Sequence, residues 1–299
     1  MAVPTLKVSY PHGIRPDQKL SHKVLVWSGR TIVNLLIMVG GFSMLLPFVW
    51  MLITSFKTDP QVMKIPFEWI PKPWIFTNYP DILLQPSFHF WKYLVNSTIV
   101  TVTVTVISLF FNAMAGYAFA KYNFPGRDIV FFILLGTIMV PIHVTLIPVF
   151  VLMRYLGWAD TYQGLIVRNL AFAFGIFLMR QFFMTIPKEL LDAGRMDGAG
   201  EFRIFWQIVL PLSKPALATL GVFTFLGSWN DFLWPLVIIS KDTMRTLPLA
   251  IASLAAGYYV LSWPILMAGA TLATLPVIVI FFMLQRYFVE GITLTGLKG

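Results

Sequence analysis

The sequence predicts an all-α polytopic membrane protein, six transmembrane helices with a helical loop projecting into the cytosol, and three observations predict it. The first is composition. Hydrophobic residues make up 58% of the 299 residues, charged residues only 12%, and the mean hydropathy is +0.77. Soluble domains carry about 45–50% apolar and about 25% charged residues. A soluble fold with so few charges would expose apolar patches beyond the few hundred Å² that monomers tolerate. The second observation is six apolar runs, each able to supply the roughly 20 helical residues that cross a bilayer. The third is charge asymmetry: about fourteen Lys and Arg fall on the side that holds both termini and about seven on the other. Cytoplasmic loops gather basic residues in this way, so both termini are expected in the cytoplasm and the net charge of +9 reads as topology rather than nucleic-acid affinity.

The elements follow in order. Residues 1–30 form a basic cytoplasmic segment with Lys7, Arg15, Lys19 and Lys23 and no small-residue cleavage pattern, so a removed signal peptide is not expected. Residues 31–290 make a single transmembrane domain, with spans expected at 31–56, 95–120, 128–153, 163–183, 216–239 and 265–287. Residues 291–299 are a cytoplasmic tail. Between the first two spans, Lys57–Trp91 holds six prolines beside Trp69, Trp74 and Trp91. Prolines forbid a long helix and tryptophans favour the headgroup layer, so this segment is either a folded outer-surface loop or an interfacial connector. Thr246–Trp263 is apolar but short, opens near Pro248 and holds Gly257, which points to an interfacial or re-entrant piece rather than a seventh span. Pro47, Pro141, Pro148, Pro235 and Pro276 fall inside the expected spans, where they bend or open helices. Bundles bent in this way suit a pathway more than an anchor.

Little in the chain suits catalysis. There is no cysteine, the four histidines His12, His22, His89 and His143 are scattered, and neither an HExxH spacing nor a GxxxxGK[ST] loop occurs. His143 is expected to donate to a backbone carbonyl, and Asp128 to serve as helix cap and dipole partner. Arg168, near the outer start of the fourth span, is expected to snorkel. Asp231 is the clear intramembrane acid, in "SWNDFLWP" of the fifth span. A charge at mid-bilayer costs about 2.5–3.5 kcal/mol and survives for function. Trp229, Asn230 and Asp231, on consecutive helical positions, either line the path, where a tryptophan stacks on a pyranose and the polar pair bonds hydroxyls, or hold neighbouring helices together.

The oddest stretch is "DAGRMDGAGEFRIFWQIVLPLSKP", residues 192–215. Pro187 starts a short helix whose Leu190, Ala193 and Gly194 fall on one face at i, i+3, i+4 spacing. Asp197–Gly198 interrupts it, glycine being the residue that takes positive φ without strain. A second segment carries Phe202, Phe205, Trp206 and Val209 on its apolar side and is expected to end before Leu210–Pro211. The pattern is helix, glycine turn, helix, between two spans.

The stretch "PKELLDAGRMDGAGEFRIFWQIVLPLSKPAL" resembles the EAA loop of ABC importer permeases, and "LGSWNDFLWPL" with "QRYFVEGITLTGLKG" resembles the carbohydrate-uptake branch, its smaller maltose-type partner. "FKTDP", "NSTIVTV", "AGYAFAKYNFPGRD" and "MVPIHVTLIPVF" are similar to the same branch, so the resemblance covers nearly the whole chain from about residue 35. It implies a type I ABC importer permease fold in a bacterial or archaeal cell membrane. It also implies four kinds of partner: a second homologous permease, two ATP-binding subunits that hold ATP and Mg, an extracytoplasmic solute-binding protein, and a small sugar as cargo. This chain itself would bind no cofactor. The loop at 187–213 would dock on an ATP-binding subunit through Glu189, Asp192, Ala193, Gly194, Asp197, Gly198 and Ala199. Where that family has Glu-Ala-Ala, this chain has Asp192–Ala193–Gly194, an acid shorter by one methylene and a glycine that costs about 1 kcal/mol of helix stability. Permeases for glycerol phosphates also belong to the branch, but a phosphate path would want a basic cluster and the spans offer only Arg168, so a neutral di- or oligosaccharide is favoured. An ion-coupled carrier is the remaining alternative, disfavoured by the scarcity of intramembrane acids.

Overall fold

The computed structural model describes residues 16–255 and 262–296, with side chains from 29 onward apart from 284 and 286–296. The leader up to residue 15, the stretch 256–261 and the last three residues of the expected tail lie outside the described residues. Two units separate, Met1–Ile53 and Thr54–Gly299. The first is essentially helix α1 (Pro16–Thr54), which starts well inside the expected cytoplasmic segment and runs through Pro47 without a break.

The second unit is built round α4 (Phe90–Lys121). Its sequence, "NSTIVTVTVTVISLFFN", is rich in β-branched residues that weakly disfavour helix in water. In a bilayer every backbone group must be satisfied within the segment, and the helix wins. One stripe of α4 is polar and buried, with Asn96, Ser97, Thr101, Ser108 and Asn112. Asn112 closes on Ser108 and accepts from the Phe172 amide at 3.1 Å, pinning α4 to α8 (Ala173–Met184). The two helices meet at small residues: a Cβ on Gly116 would lie 2.8 Å from the Met179 Cβ, and one on Gly175 would lie 2.7 Å from Asn112 Cγ.

The connection after α1 is folded. It holds α2 (Asp59–Val62) and α3 (Asn78–Leu84), with Phe56 packed against Trp74, Phe76 and Tyr79. Lys57 is buried, its ammonium donating to the Glu68 carbonyl at 2.6 Å and lying 3.9 Å over the Phe67 ring.

Three helices are long and apolar enough to cross a membrane, or six if each bent pair counts as one span, among the described residues. Three expected spans are therefore broken. The span at 128–153 is α5 (Arg127–Gly136), extended by a tight turn to Met139, and α6 (Ile142–Tyr155), which turn by 101° at Val140–Pro141. The span at 163–183 is α7 (Tyr162–Ile166), continued to Asn169, and α8, bent by 43°. The helix cap of α5 is Gly126, at φ 78°, rather than Asp128, which sits in the first turn and pairs with Arg127 at 2.9 Å. His143 lies exposed on α6 and donates to no carbonyl among the described residues.

Past α8 come α9 (Lys188–Met196), α10 (Glu201–Ile204), a π turn over Phe205–Val209, and α11 (Leu210–Leu212). The rod from Glu201 to Leu212 meets α12 (Lys214–Trp229) at 82°. So the second segment of the loop does not stop before Leu210 as expected: the rod runs on past the π turn, through Pro211, to Leu212. The span at 216–239 ends early, α12 giving way at Asn230 to α13 (Leu233–Ile238). The expected interfacial piece contains α14 (Leu247–Ala255), nine residues and too short to span. The last helix, α15 (Trp263–Gly296), carries Pro276 inside it and continues the expected tail as helix to Gly296.

Candidate functional site

Two places bring the predicted residues together. The first is the loop that follows α8. Helix α9 ends in a hydrogen-bonded glycine stop: Gly198, at φ 77°, donates to the Arg195 carbonyl and Ala199 to the Gly194 carbonyl, both at 3.0 Å. Asp197 sits at the cap and donates to the Ala193 carbonyl at 3.0 Å. The joint is thus closed by its own backbone.

Side chains divide differently from the expected faces. Leu191 and Gly194 are buried, whereas Leu190 and Ala193 point out with Glu189, Asp192 and Asp197. A Cβ on Gly194 would meet the Ile208 Cδ1 at 2.9 Å and the Ile204 Cγ1 at 3.4 Å, so the glycine in place of the usual alanine lets α9 lie close on the second segment. That segment is also split. Ile204, Phe205 and Val209 join the buried cluster formed by Tyr117, Met179, Phe183 and Leu220, while Phe202 and Trp206 stack on each other in the open, 6.3 Å apart at 15°.

A polar brace ties the loop to the end of α4. Arg195 pairs with Asp192 at 2.7 Å and with Glu201 at 2.8 Å, across the glycine joint. The Tyr122 hydroxyl donates to the other Glu201 oxygen at 2.5 Å, and Lys121 donates to the Ile186 carbonyl at 2.6 Å. The Arg195 and Tyr122 hydrogen bonds hold the Glu201 carboxyl below the usual carboxylate range, and burial with the Glu201 contact pushes the Tyr122 phenol up.

The second place is the break after α12. Trp229 is buried, donates to the Ala273 carbonyl at 3.1 Å and stacks on Phe225, so it packs helices and is not aimed at a ligand. Asn230 is the exposed cap of α12, and Asp231 follows in non-helical chain, so the expected run of consecutive helical positions does not form. The Asp231 carboxylate caps the next segment, accepting from the Trp234 amide at 3.2 Å. It also faces a cavity of about 330 Å³ lined by Arg168, Asn169, Phe223, Thr224, Gly227 and Ser228, among others. Arg168 does not reach outward; its guanidinium lies 4.7 Å over the ring of Trp234, itself fixed by a 2.9 Å bond to the Gly164 carbonyl.

The loop closes its own joint, keeps an exposed acidic face and is braced to the end of α4. The profile of the family described as "Binding-protein-dependent transport system inner membrane component" matches residues 112–294. The chain belongs to that family. This permease is 37% identical over 272 residues to the arabinooligosaccharides transport system permease protein AraQ of Bacillus subtilis (strain 168), covering 90% of this chain and 96% of the relative. It is 35% identical over 264 residues to the sn-glycerol-3-phosphate transport system permease protein UgpE of Yersinia pestis bv. Antiqua (strain Antiqua), covering 87% and 94%. The crystal structure of a bacterial ABC transporter involved in the import of the acidic polysaccharide alginate contains a chain that superposes with a TM-score of 0.76 at 26% identity, covering 93% of the permease and 100% of that chain. The permease fold is thus the ABC importer type, and the protein is a transport subunit of a cell membrane.

Sequence reasoning missed Arg195, Glu201 and Tyr122 as a unit and did not foresee the seat of Arg168 on Trp234. Arg195 and Glu201 are six residues apart across a turn, a separation with no helical signature. Tyr122 lies 79 residues from its partner. Only the pairing of Arg195 with Asp192, at i, i+3, was visible in principle.

Proposed function

We propose that this permease forms half of the translocation pore of an ATP-driven, binding-protein-dependent importer of di- or oligosaccharides, and that residues 187–213 dock on an ATP-binding subunit. A second homologous permease would complete the pore, two ATP-binding subunits would hold ATP and Mg, and an extracytoplasmic protein would deliver the solute. This chain would bind no cofactor, and both termini would lie in the cytoplasm with 31–290 as the membrane domain.

The observation that carries this reading is α9 itself. It presents Glu189, Leu190, Asp192, Ala193, Met196 and Asp197 to solvent on a helix whose other face is anchored by Leu191 and Gly194. Its glycine stop and the Arg195–Glu201–Tyr122 brace fix it to α4, so a push on α9 moves the bundle as a body. Closure of the ATP-binding pair would then rock the broken helices between inward-facing and outward-facing arrangements, the work entering through contacts that differ between the two states.

The sugar assignment is supported by the arabinooligosaccharide relative and by hydroxyl-binding groups in the membrane cavity. A glycerol-phosphate cargo is the second reading, favoured by the UgpE relative and by Arg168 in that cavity.

Proline at Gly198 cannot adopt φ 77° and removes the N–H that bonds Arg195. Gly198→Pro, or reversal of charge at Asp192 and Asp197 together, is expected to abolish co-purification of the ATP-binding subunit while the chain still inserts in the membrane. Normal amounts of that subunit on the variants would overturn the docking role.

A further inference from the structure

The cavity beside the α12–α13 break holds one cation and one anion that do not meet. Arg168 comes from the turn before α8 and Asp231 from the break after α12, and both line the same space of about 330 Å³. They form none of the ion pairs found among the described residues. The guanidinium lies over the Trp234 ring, and among the described residues no hydrogen-bond acceptor takes its side-chain N–H donors. Its five N–H donors are left for a ligand. Asp231 accepts from the Trp234 amide, is also approached by the Leu233 backbone, and has lone pairs to spare. Ser228 and Thr224 add hydroxyls to the same lining, Ser228 donating to the Thr101 hydroxyl at 3.4 Å and Thr224 committed as donor to Leu220 at 2.8 Å and so left as acceptor.

Both charges are therefore steered by one residue. Trp234 is buried, its indole nitrogen is bonded to the Gly164 carbonyl, its ring seats Arg168, and its backbone amide holds Asp231. The spacing of cation and anion is set by a fixed indole and not by two flexible side chains. An isolated guanidinium in such a cavity would favour a phosphate or uronate; an isolated carboxylate would favour a cation. Held together but apart, they are neutral in sum and polar at both ends, which matches a diol whose one hydroxyl donates to a carboxylate while the other accepts from a guanidinium.

We infer that Arg168 and Asp231 are a solute-contacting pair in the translocation path, and that their charge balance selects neutral, hydroxyl-rich solutes over phosphorylated ones. This rests on the importer reading above and extends it to the class of cargo.

The permease has no cysteine, so one introduced thiol reports the cavity alone on this chain. Gly227 lines the cavity and a Cβ there meets nothing within 4 Å, which makes Gly227→Cys the reporter. In the full transporter, without nucleotide and with ATP, the thiol is reacted with methanethiosulfonates of opposite charge, ethylsulfonate and ethyltrimethylammonium, and the ratio of the two rates is read. In the parent the ratio is expected within about threefold of that for a free thiol in solution. Asp231→Asn should raise the anion-to-cation ratio about tenfold, Arg168→Gln should lower it about tenfold, and the double variant should return it to the parent value. The inference is overturned if the thiol is unreactive in both nucleotide states, if neither single variant moves the ratio, or if the parent already favours the anionic reagent tenfold or more, the mark of a phosphate path. Co-purification of the ATP-binding subunit, followed in the same samples, separates these outcomes from failure of the importer reading, which would lose that subunit from the parent itself.

Discussion

Two interruptions of the chain, at Asp197–Gly200 in the loop after α9 and at Asn230–Phe232 after α12, are closed by opposite means. At the first, backbone closes backbone: the amides of Gly198 and Ala199 satisfy the last carbonyls of α9, and the side chains of Glu189, Asp192 and Asp197 stay exposed. At the second, a side chain does the closing, Asp231 capping Trp234, and the space beside it is left as a cavity. A joint sealed by main chain is stiff and passes on displacement. A joint sealed by a carboxylate exposes polar groups and suits a passing solute. The difference shows how one apolar chain holds a mechanical element and a recognition element without an extra domain.

The largest expected effect strikes the support behind the cavity, where Gly164 holds Trp234 and Trp234 seats Arg168 and Asp231. A Cβ on Gly164 would fall 2.2 Å from the Trp158 carbonyl oxygen, main-chain atoms that cannot step aside, and Gly164 also receives the Trp234 indole bond. Gly164→Ala should cost about 3 kcal/mol or more, seen as a large drop in thermal stability of the purified complex in detergent. Trp234→Ala should be comparable, at about 3–5 kcal/mol, and should additionally erase the charge sensitivity of the thiol reporter introduced at Gly227. A smaller effect is expected at the glycine joint after α9. Gly198→Ala forces a side chain into left-handed backbone at a cost of about 1–2 kcal/mol, local to the loop, so ATP-binding subunit should be lost while the melting temperature hardly moves. Equal damage to both readouts would mean the two interruptions are not separable.

The brace should sharpen the contrast through pH. Glu201 has its folded value depressed, by Arg195 first and Tyr122 second, so its contribution is complete above the ordinary carboxylate range and is lost as pH falls through the depressed value. Limited proteolysis at Arg195 or Arg203 should accelerate on acidification below about pH 4 and should be fast at every pH in Glu201→Gln. The smallest effect is Gly194→Ala. The gain of about 1 kcal/mol in helix propensity is opposed by crowding of Ile208, whose Cδ1 is the mobile end of its side chain, so stability should change by less than about 1 kcal/mol. A large loss would mean the close approach of α9 to the second segment is tighter than the side chains require.

Much of this architecture was legible from residue order. Composition and apolar length marked a membrane bundle, and the charged, glycine-broken stretch marked a helix, glycine stop and second helix because nothing else in the chain resembles it. The helix faces were read less well. Leu190 and Leu191 are adjacent and chemically alike, and only the partner surface of Ile204 and Ile208 decides which one turns inward. Breaks within spans were flagged by Pro141 but not by Asn230, since polar residues in a membrane helix have several uses. The contact of Arg168 was hidden for a related reason: snorkelling is the default reading for a cation near a span end, and its seat on Trp234 depends on a residue 66 positions away in the chain.

The π turn at Phe205–Val209 has a consequence for the geometry of the loop. Each such turn lodges one surplus residue in a helical rod, and a residue subtends about 100° of rotation round the axis. Excising a single residue there, Gln207 for instance, would let the rod relax to ordinary winding and swing everything upstream through that angle. The glycine joint, the acidic face of α9 and the aromatic pair would all survive intact, yet be aimed at the wrong compass point.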